Sequence, residues 1–273
     1  MHSHLYALGA IALWAALASL AVALKHVPPF LLTGLALLIG SVPAWPFVKQ
    51  WKVPPRTLAL GIYGLFGYHF LLFMALRLAP AVEANLVNYL WPLFIVILAP
   101  VFLPGMRLGA AHVAAALAGF VGAAIAILGG GGASGTWSWG YLLALGAGFM
   151  WASYSLWTRR VPAFPTAAIG LFGLVSGLLS LACHALMEPA VDLSARDWLL
   201  VALIGLGPLG AAFFLWDKAL KTGDARHIGI LSYITPLAST ALLVAVTGRP
   251  WSWSIVLAAA LIIGAAIVGT RAR

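Results

Sequence analysis

Charged side chains are scarce in this chain of 273 residues. Only 8% of the residues are Asp, Glu, Lys or Arg, whereas an ordinary soluble domain has about 25%. Hydrophobic residues make up 63% of the chain, so too few polar side chains remain to cover a surface that faces water. The composition excludes a soluble globular protein and predicts an integral membrane protein whose solvent is the lipid bilayer.

Cysteine and catalytic motifs are nearly absent as well. Cys183 is the single cysteine, so no intramolecular disulfide can form and no cysteine-based metal site is indicated. The sequence has no phosphate-binding loop with a lysine, no HExxH motif and no G-x-S-x-G motif, which argues against an ATPase or a membrane protease. The glycine run at 129–132 lacks such a lysine and is expected to be a periplasmic loop. We therefore expect no enzyme, no cofactor and no metal.

Acidic residues are few, and none is expected at mid-membrane. Proton coupling would have to use His69 or Asp217, and the alternative is uncoupled alternating access; both stay open. Asp217 directly precedes Lys218, and we interpret the two as an ion pair at a cytoplasmic helix end. The six acidic residues fall in connections or at helix ends, and they are Glu83, Glu188, Asp192, Asp197, Asp217 and Asp224.

Long apolar runs, bounded by charges, proline and glycine, occupy most of the chain. About 20 helical residues cross a hydrocarbon core, so the runs predict ten transmembrane helices. Lipid cannot satisfy an exposed backbone, and the alternation typical of a membrane barrel is missing, so the fold class is an all-α membrane protein. The predicted helices cover residues 5–24, 30–48, 57–76, 84–103, 109–129, 139–158, 166–187, 197–217, 226–247 and 251–270.

The basic residues are distributed unevenly between alternate connections. One set of connections holds 11 of the 15 Lys and Arg residues, and the other set holds Lys25, Arg77, Arg196 and Arg249. The positive-inside rule places the richer set, with both termini, in the cytoplasm. Topology therefore explains the net charge of +9, and we expect no nucleic-acid partner.

The sequence resembles itself in two halves. Trp14 matches Trp151 at an offset of 137 residues, and Ala75-Leu76-Arg77 matches Ala219-Leu220-Lys221 at an offset of 144. Tyr89 and Pro92 match Tyr233 and Pro236 at the second offset. These matches predict two five-helix repeats, at 1–134 and 135–273. Since five is odd, the second repeat enters the membrane inverted, as in many secondary transporters; chance matching of common residues is the alternative.

Polar side chains inside predicted spans are candidates for a substrate site, because they are costly in lipid. Asn85, Asn88 and Tyr89 share one helix face at spacings of three and four residues, while His69 and Tyr233 lie in other spans. Hydrogen bonding between helices is the alternative role. For His69 the two interpretations are equally open.

Two tryptophans and three prolines complete the candidates. Trp14 and Trp151 lie deep in their spans, where an indole can stack on an aromatic substrate or face a cation, or simply pack against lipid. Trp91 and Trp216 stay ambiguous. Pro92, Pro208 and Pro236 should interrupt their helices, with flanking glycines, and we expect kinks suited to gating there.

The same segments carry a resemblance to a known family. Residues 73–76 and 84–92, which end in Asn88-Tyr89-Leu90-Trp91-Pro92, resemble the EamA repeat of the drug/metabolite transporter superfamily. Together with 215–218 and 231–240, they look more narrowly like the YddG-type aromatic amino acid exporters. The resemblance covers nearly the whole chain and implies ten helices in two inverted repeats around a central cavity, with export of aromatic and other amino acids. Many EamA repeats carry a Glu after their fourth helix, and this chain has none there.

These observations predict a secondary transporter that exports neutral amino acids by alternating access. Export of cationic drugs or other small metabolites is the alternative hypothesis. A membrane-bound enzyme or a structural scaffold is an alternative from a different functional class. We expect a monomer. The predicted cavity residues are Trp14, His69, Asn85, Asn88, Tyr89, Trp151 and Tyr233.

Overall fold

The computed structural model describes residues 2–128, 137–247 and 253–272, and these residues form helices without any strand. The expected glycine loop at 129–132, the boundary between 134 and 135, Arg249 and the start of the tenth predicted helix at 251 lie outside the described residues. The helices are α1 (His2–Val22), α2 (Pro29–Ser41), α3 (Pro55–Ile62), α4 (Tyr68–Leu78), α5 (Ala81–Asn88), α6 (Trp91–Phe102), α7 (Ala110–Leu128), α8 (Gly140–Trp157), α9 (Ala168–Met187), α10 (Ala195–Leu206), α11 (Ala212–Thr222), α12 (Ala225–Leu231), α13 (Ile234–Thr247) and α14 (Trp253–Arg271). A 3₁₀ segment, Val42–Trp51, continues α2.

Eight helical segments in the described part of the chain are long and apolar enough to cross a membrane. Two of the ten predicted spans are not among them. The span at 139–158 became α8, whose last two turns carry Ser153, Tyr154 and Ser155 and are therefore less apolar. The span at 226–247 corresponds to α12 and α13, which are separated by a two-residue turn.

Two π-helical segments interrupt long helices at matching places. Tyr63–Gly67 separates α3 from α4, and Gly207–Ala211 separates α10 from α11. They lie 144 residues apart, the offset at which the sequence matches itself. Pro208 occupies the second position of the second segment, where it lacks a backbone N–H. The interruption expected at Pro208 and its flanking glycines is present, and the first half has a second one at the matching place. π segments of this kind are common at functional sites.

Pro92 and Pro236 interrupt their spans differently from the predicted mid-helix kink. The preceding helices end four and five residues earlier, at Asn88 and Leu231, before turns that contain Tyr89 and Tyr233, and each proline lies in the first turn of the next helix. This is the position where a missing N–H costs nothing. Each helix break therefore lies at the tyrosine that precedes the proline and not at the proline itself.

Small residues allow the helices to approach closely. Gly34 of α2 and Gly177 of α9 face each other, and a Cβ on Gly177 would lie 2.9 Å from the carbonyl oxygen of Gly34. Gly122 of α7 is equally close to α14, since a Cβ there would lie 3.1 Å from the carbonyl oxygen of Ala258. Glycine at these positions therefore lets α9 pack against α2 and α14 against α7 at short distance.

The connections gather at two opposite faces of the bundle. The first face contains the turns at 23–28 and 79–80 and the segment 188–194; there His26 lies 3.3 Å from Asp197 and Ser138 donates to the carbonyl of Leu78. The second face contains the connections at 103–109, 158–167 and 223–224, which Arg159 and Arg226 join through backbone carbonyls. α1 therefore runs from the second face to the first, whereas α8 runs from the first to the second.

Candidate functional site

A central cavity of about 260 Å³ lies between the helices, toward the first face. On α1 it is lined by the half that approaches this face, and on α2 by the half that leaves it. Residues of α4, α5, α6, α8, α10, α11, α13 and the π segment before α11 complete its wall. The lining residues are Trp14, Leu17, Ala21, Leu32, Thr33, Tyr68, His69, Leu72, Phe73, Asn85, Asn88, Tyr89, Trp91, Trp151, Ile204, Leu209, Phe213 and Thr235.

Four indole rings form a cluster, the floor of the cavity, on its side toward the second face. Trp14, Trp91 and Trp151 line the cavity, and Trp216 packs against them without lining it. Trp14 lies 5.2 Å from Trp216, 5.8 Å from Trp151 and 6.4 Å from Trp91, measured between ring centroids. Trp151 and Trp216 are stacked with centroids 6.2 Å apart. Mostly edge-on pairs at these distances are the favoured geometry of aromatic rings.

Two indole N–H groups hold this floor in place. Trp14 Nε1 donates to the carbonyl oxygen of Pro208 at 3.0 Å, which ties α1 to the π segment before α11. Trp216 Nε1 donates to Ser155 Oγ of α8 at 3.1 Å. The π segment thus presents a carbonyl to the cavity floor, and α1, α8 and α11 are joined beneath the site.

His69 supplies a polar group to the wall. Its Nδ1 lies 2.5 Å from the carbonyl oxygen of Leu65, inside the first π segment. Because a carbonyl can only accept, Nδ1 carries the proton, and in the neutral ring Nε2 is left as an acceptor. Tyr68 and Phe73 flank the imidazole at centroid distances of 4.9 and 5.8 Å.

The amides come from α5 and the turn that follows it. Asn88 Nδ2 donates to the hydroxyl of Tyr68 at 3.2 Å, whereas Asn88 Oδ1 is buried without a partner. Asn85 and Tyr89 line the cavity on the same side. The helix ends at Asn88 because Pro92 follows shortly, and the ending leaves Asn88 and Tyr89 at its C-terminal end beside the cavity. This wall offers acceptors and donors without a formal charge.

Six of the seven predicted site residues therefore meet at one cavity: Trp14, His69, Asn85, Asn88, Tyr89 and Trp151. Tyr233 does not line it. Its ring is fully buried against Gly119 of α7, in a small cluster with Ala123 and Ile262. Helical spacing placed Tyr233 in a span, but the turn before α13 directs the ring toward α7 and away from the centre.

Sequence reasoning missed several lining residues. Phe213 stands beside Trp151 at 5.7 Å, and Trp91 joins the floor. Phe213 lies one helical turn after Leu209, at the start of the helix that follows the second π segment, and this position is the signal that could have identified it. Thr33 and Thr235 are single hydroxyls in apolar runs, for which the sequence carries no comparable signal.

The ion pair expected between Asp217 and Lys218 is wrong. Asp217 Oδ2 accepts from Lys221 Nζ at 2.6 Å and from Thr166 Oγ1 at 2.6 Å. Residues four apart share a helix face, whereas neighbours in sequence point in different directions. Within the described residues, no group of three or more His, Cys, Asp or Glu side chains could hold a metal ion.

Comparison with known proteins agrees with this architecture. The model of the EamA-like transporter family matches the chain twice, at residues 1–128 and 138–270. The chain is similar to the aromatic amino acid exporter YddG of Ancylobacter novellus, with 42% identity over 96% of this chain and 94% of that protein. It is also similar to the aromatic amino acid exporter YddG of Escherichia coli, with 28% identity over 87% of this chain and 83% of that protein.

A solved crystal structure superposes on the chain with a TM-score of 0.91 and 40% sequence identity. The match covers 98% of this chain and 97% of the other. Agreement at this level extends over the central cavity as well as over the outer helices. The chain belongs to the EamA-like transporter family, and it is a multi-pass membrane transporter.

Proposed function

We propose that this transporter exports aromatic and other neutral amino acids across the bacterial cytoplasmic membrane by alternating access. The observation that carries the proposal is an uncharged cavity with a floor of indole rings and a wall of amides and hydroxyls. Its volume of about 260 Å³ is just below the range of about 300–1,000 Å³ for small-molecule pockets. That size suits an amino acid better than a drug-sized molecule.

The lining chemistry fits the two ends of an amino acid. A substrate ring can stack on the indoles of Trp14 and Trp151, and each such contact contributes about 0.5–1.5 kcal/mol. The ammonium group can donate to His69 Nε2, and the side-chain amide of Asn85 can donate to the carboxylate. Tyr233 is left out of the proposed site because its ring faces α7.

We further propose ten membrane spans in two inverted repeats, at 1–134 and 135–273. The two spans beyond the eight apolar ones are α8 and the divided segment α12–α13. The double match of the family model, the π segments 144 residues apart and the opposite directions of α1 and α8 support this arrangement. The less apolar face of α8 carries Trp151 into the cavity, which explains its lower hydropathy.

The basic residues support an orientation with both termini in the cytoplasm. Lys25, Arg77 and Arg196 lie at the first face, which is poorer in Lys and Arg and is therefore the periplasmic side in this proposal. The cavity lies toward that face, so the conformation described here is the outward-facing one. We propose that the protein works as a monomer, since both repeats contribute to one cavity.

Counterflow into proteoliposomes tests the proposed substrate class. Vesicles loaded with unlabelled phenylalanine should accumulate labelled phenylalanine, and other neutral amino acids should compete. Trp151→Ala should abolish the exchange, because Trp151 contacts three other indoles and the cavity. Trp139→Ala is the matched control, since Trp139 precedes the same helix and is 70% exposed. Absence of exchange by the wild-type protein, or full exchange by folded Trp151→Ala protein, would refute the proposal.

An exporter of organic cations is the second candidate. The three indoles that line the cavity can hold a cation against their faces, an attraction that reaches about 2 kcal/mol when the cation is desolvated. Competition in the same counterflow assay separates the two candidates. Inhibition by quaternary ammonium compounds, together with no inhibition by leucine or methionine, would favour the cation exporter.

A further inference from the structure

Glu188 lies just after α9 at the first face, and its carboxylate contacts four hydrogen-bonding partners. Its side chain is fully buried and accepts from the backbone N–H groups of Phe30 at 3.1 Å and Leu31 at 3.2 Å. It also accepts from Arg77 Nη2 at 2.7 Å and lies 3.0 Å from His184 Nδ1. Glu188 therefore joins the end of α9, the start of α2 and the end of α4 at a single carboxylate.

The Arg77 contact reaches the cavity wall in two steps. The guanidinium lies over the ring of Phe30, 5.3 Å from its centroid. Phe30 in turn contacts Phe73, with ring centroids 5.7 Å apart, and Phe73 lines the cavity. Because Phe73 and Arg77 are one helical turn apart on α4, a movement of the end of α4 displaces Phe73. The position of the wall thus depends on the position of Arg77.

The helix that carries Arg77 begins at a π segment. α4 begins immediately after the π segment Tyr63–Gly67, and it packs along α8. α9, by contrast, packs along α2. The contact between Arg77 and Glu188 consequently joins α4 to the pair of α2 and α9, at the end of α4 that lies farthest from the π segment. Mid-helix π segments are common places for such a helix to bend.

The second half contains an equivalent cation with a different anchor. Lys221 follows Arg77 by 144 residues, and it lies over the ring of Phe164 at 3.8 Å while donating to the Phe164 carbonyl at 2.8 Å. Its carboxylate partner, Asp217, belongs to its own helix, α11. Of these two cations, Arg77 alone is tied to a carboxylate in the other half of the chain. The two ends of the molecule are therefore held unequally.

We propose that Arg77 and Glu188 are positioning residues for transport: they form a latch between the two halves that stabilises this conformation and has to open before the cavity reaches the second face. The proposal rests on the alternating access of the proposed function. At the Lys221 end the described residues join the two halves through Arg226 and the backbone carbonyl of Arg107 rather than through a carboxylate, so the latch favours the conformation described here over its opposite. Neither residue lines the cavity, so the effect on the substrate is indirect.

Arg77→Gln tests the latch while sparing the fold, because Glu188 keeps both backbone donors and His184. A Cys183→Ser, Ala21→Cys background places a single thiol in the cavity wall, and a membrane-impermeant maleimide added from the first face reports its accessibility. We expect Arg77→Gln to slow this labelling about tenfold, the effect of losing one charge-assisted hydrogen bond to a buried carboxylate. Arg77→Lys should give an intermediate rate.

Arg196→Gln is the matched control, since this exposed arginine begins α10 at the same face and its loss changes the charge equally. It should label at the parental rate. Equal labelling rates for Arg77→Gln, Arg77→Lys and the parent would overturn the latch. Phenylalanine counterflow by the parent, measured in the same vesicles, tests the proposed function separately: exchange with unchanged labelling of the variants refutes only the latch, and absent exchange refutes only the substrate assignment.

Discussion

Replacing Trp14 by phenylalanine isolates the hydrogen bond that ties α1 to the second π segment. The variant keeps an aromatic ring against the other indoles but loses the N–H that lies 3.0 Å from the Pro208 carbonyl. A hydrogen bond of this kind contributes about 0.5–1.5 kcal/mol net, and those between membrane helices average about 0.6 kcal/mol. The smaller ring also loosens a packed cluster. We expect the free energy of unfolding to fall by about 1 kcal/mol.

Trp45→Phe is the matched control for this prediction. Trp45 Nε1 also donates to a neighbour, Ser41 Oγ at 3.1 Å, but the Trp45 side chain is 52% exposed. Ser41 Oγ keeps its hydrogen bond to the carbonyl oxygen of Leu38 at 2.6 Å, and the half-exposed Trp45 ring packs against little, so the change should stay below about 0.5 kcal/mol. Unfolding by a denaturing detergent in mixed micelles, followed by circular dichroism, measures both variants. Equal losses in the two would refute the reasoning, because the loss of a hydrogen bond from a ring in the packed cluster would then cost no more than its loss from a half-exposed ring.

Three further predictions follow from the packing and chemistry of the cavity. Gly64→Ala should lower the free energy of unfolding by about 1–3 kcal/mol, since its Cβ would collide with the buried ring of Tyr154. Gly264→Ala, whose Cβ meets nothing within 4 Å, should be neutral or stabilising in the same detergent unfolding assay. His69→Phe should weaken phenylalanine binding about tenfold through the lost acceptor, as read by tryptophan fluorescence titration, and unchanged affinity would contradict the proposed ammonium contact. Net efflux of phenylalanine from loaded vesicles should be unaffected by an ionophore that collapses the proton gradient, because no Asp or Glu is among the residues that line the cavity; a large loss of efflux would instead indicate proton coupling.

Composition and spacing determined much of this protein in advance. The shortage of charge required a lipid environment, and lipid required helices. Glycine and proline act through the local backbone, so the interruptions near Gly64, Pro92, Pro208 and Pro236 could be predicted. At Pro92 and Pro236 the helix break lies about one turn before the proline. Residues three or four apart must share a helix face, which is why Asn85, Asn88 and Tyr89 meet the same cavity.

The tertiary structure decided which partner each helix face meets. Helical periodicity places Tyr233 on a face but does not say that this face packs on α7, and the sequence cannot indicate that Glu188 accepts from Arg77 across 111 residues. The aromatic floor shows the same limit, because Trp91 and Trp216 join it from different helices. Local rules act over one or two helical turns. Contacts between distant spans depend on how all the helices pack together, and the cavity and the latch exist only at that level.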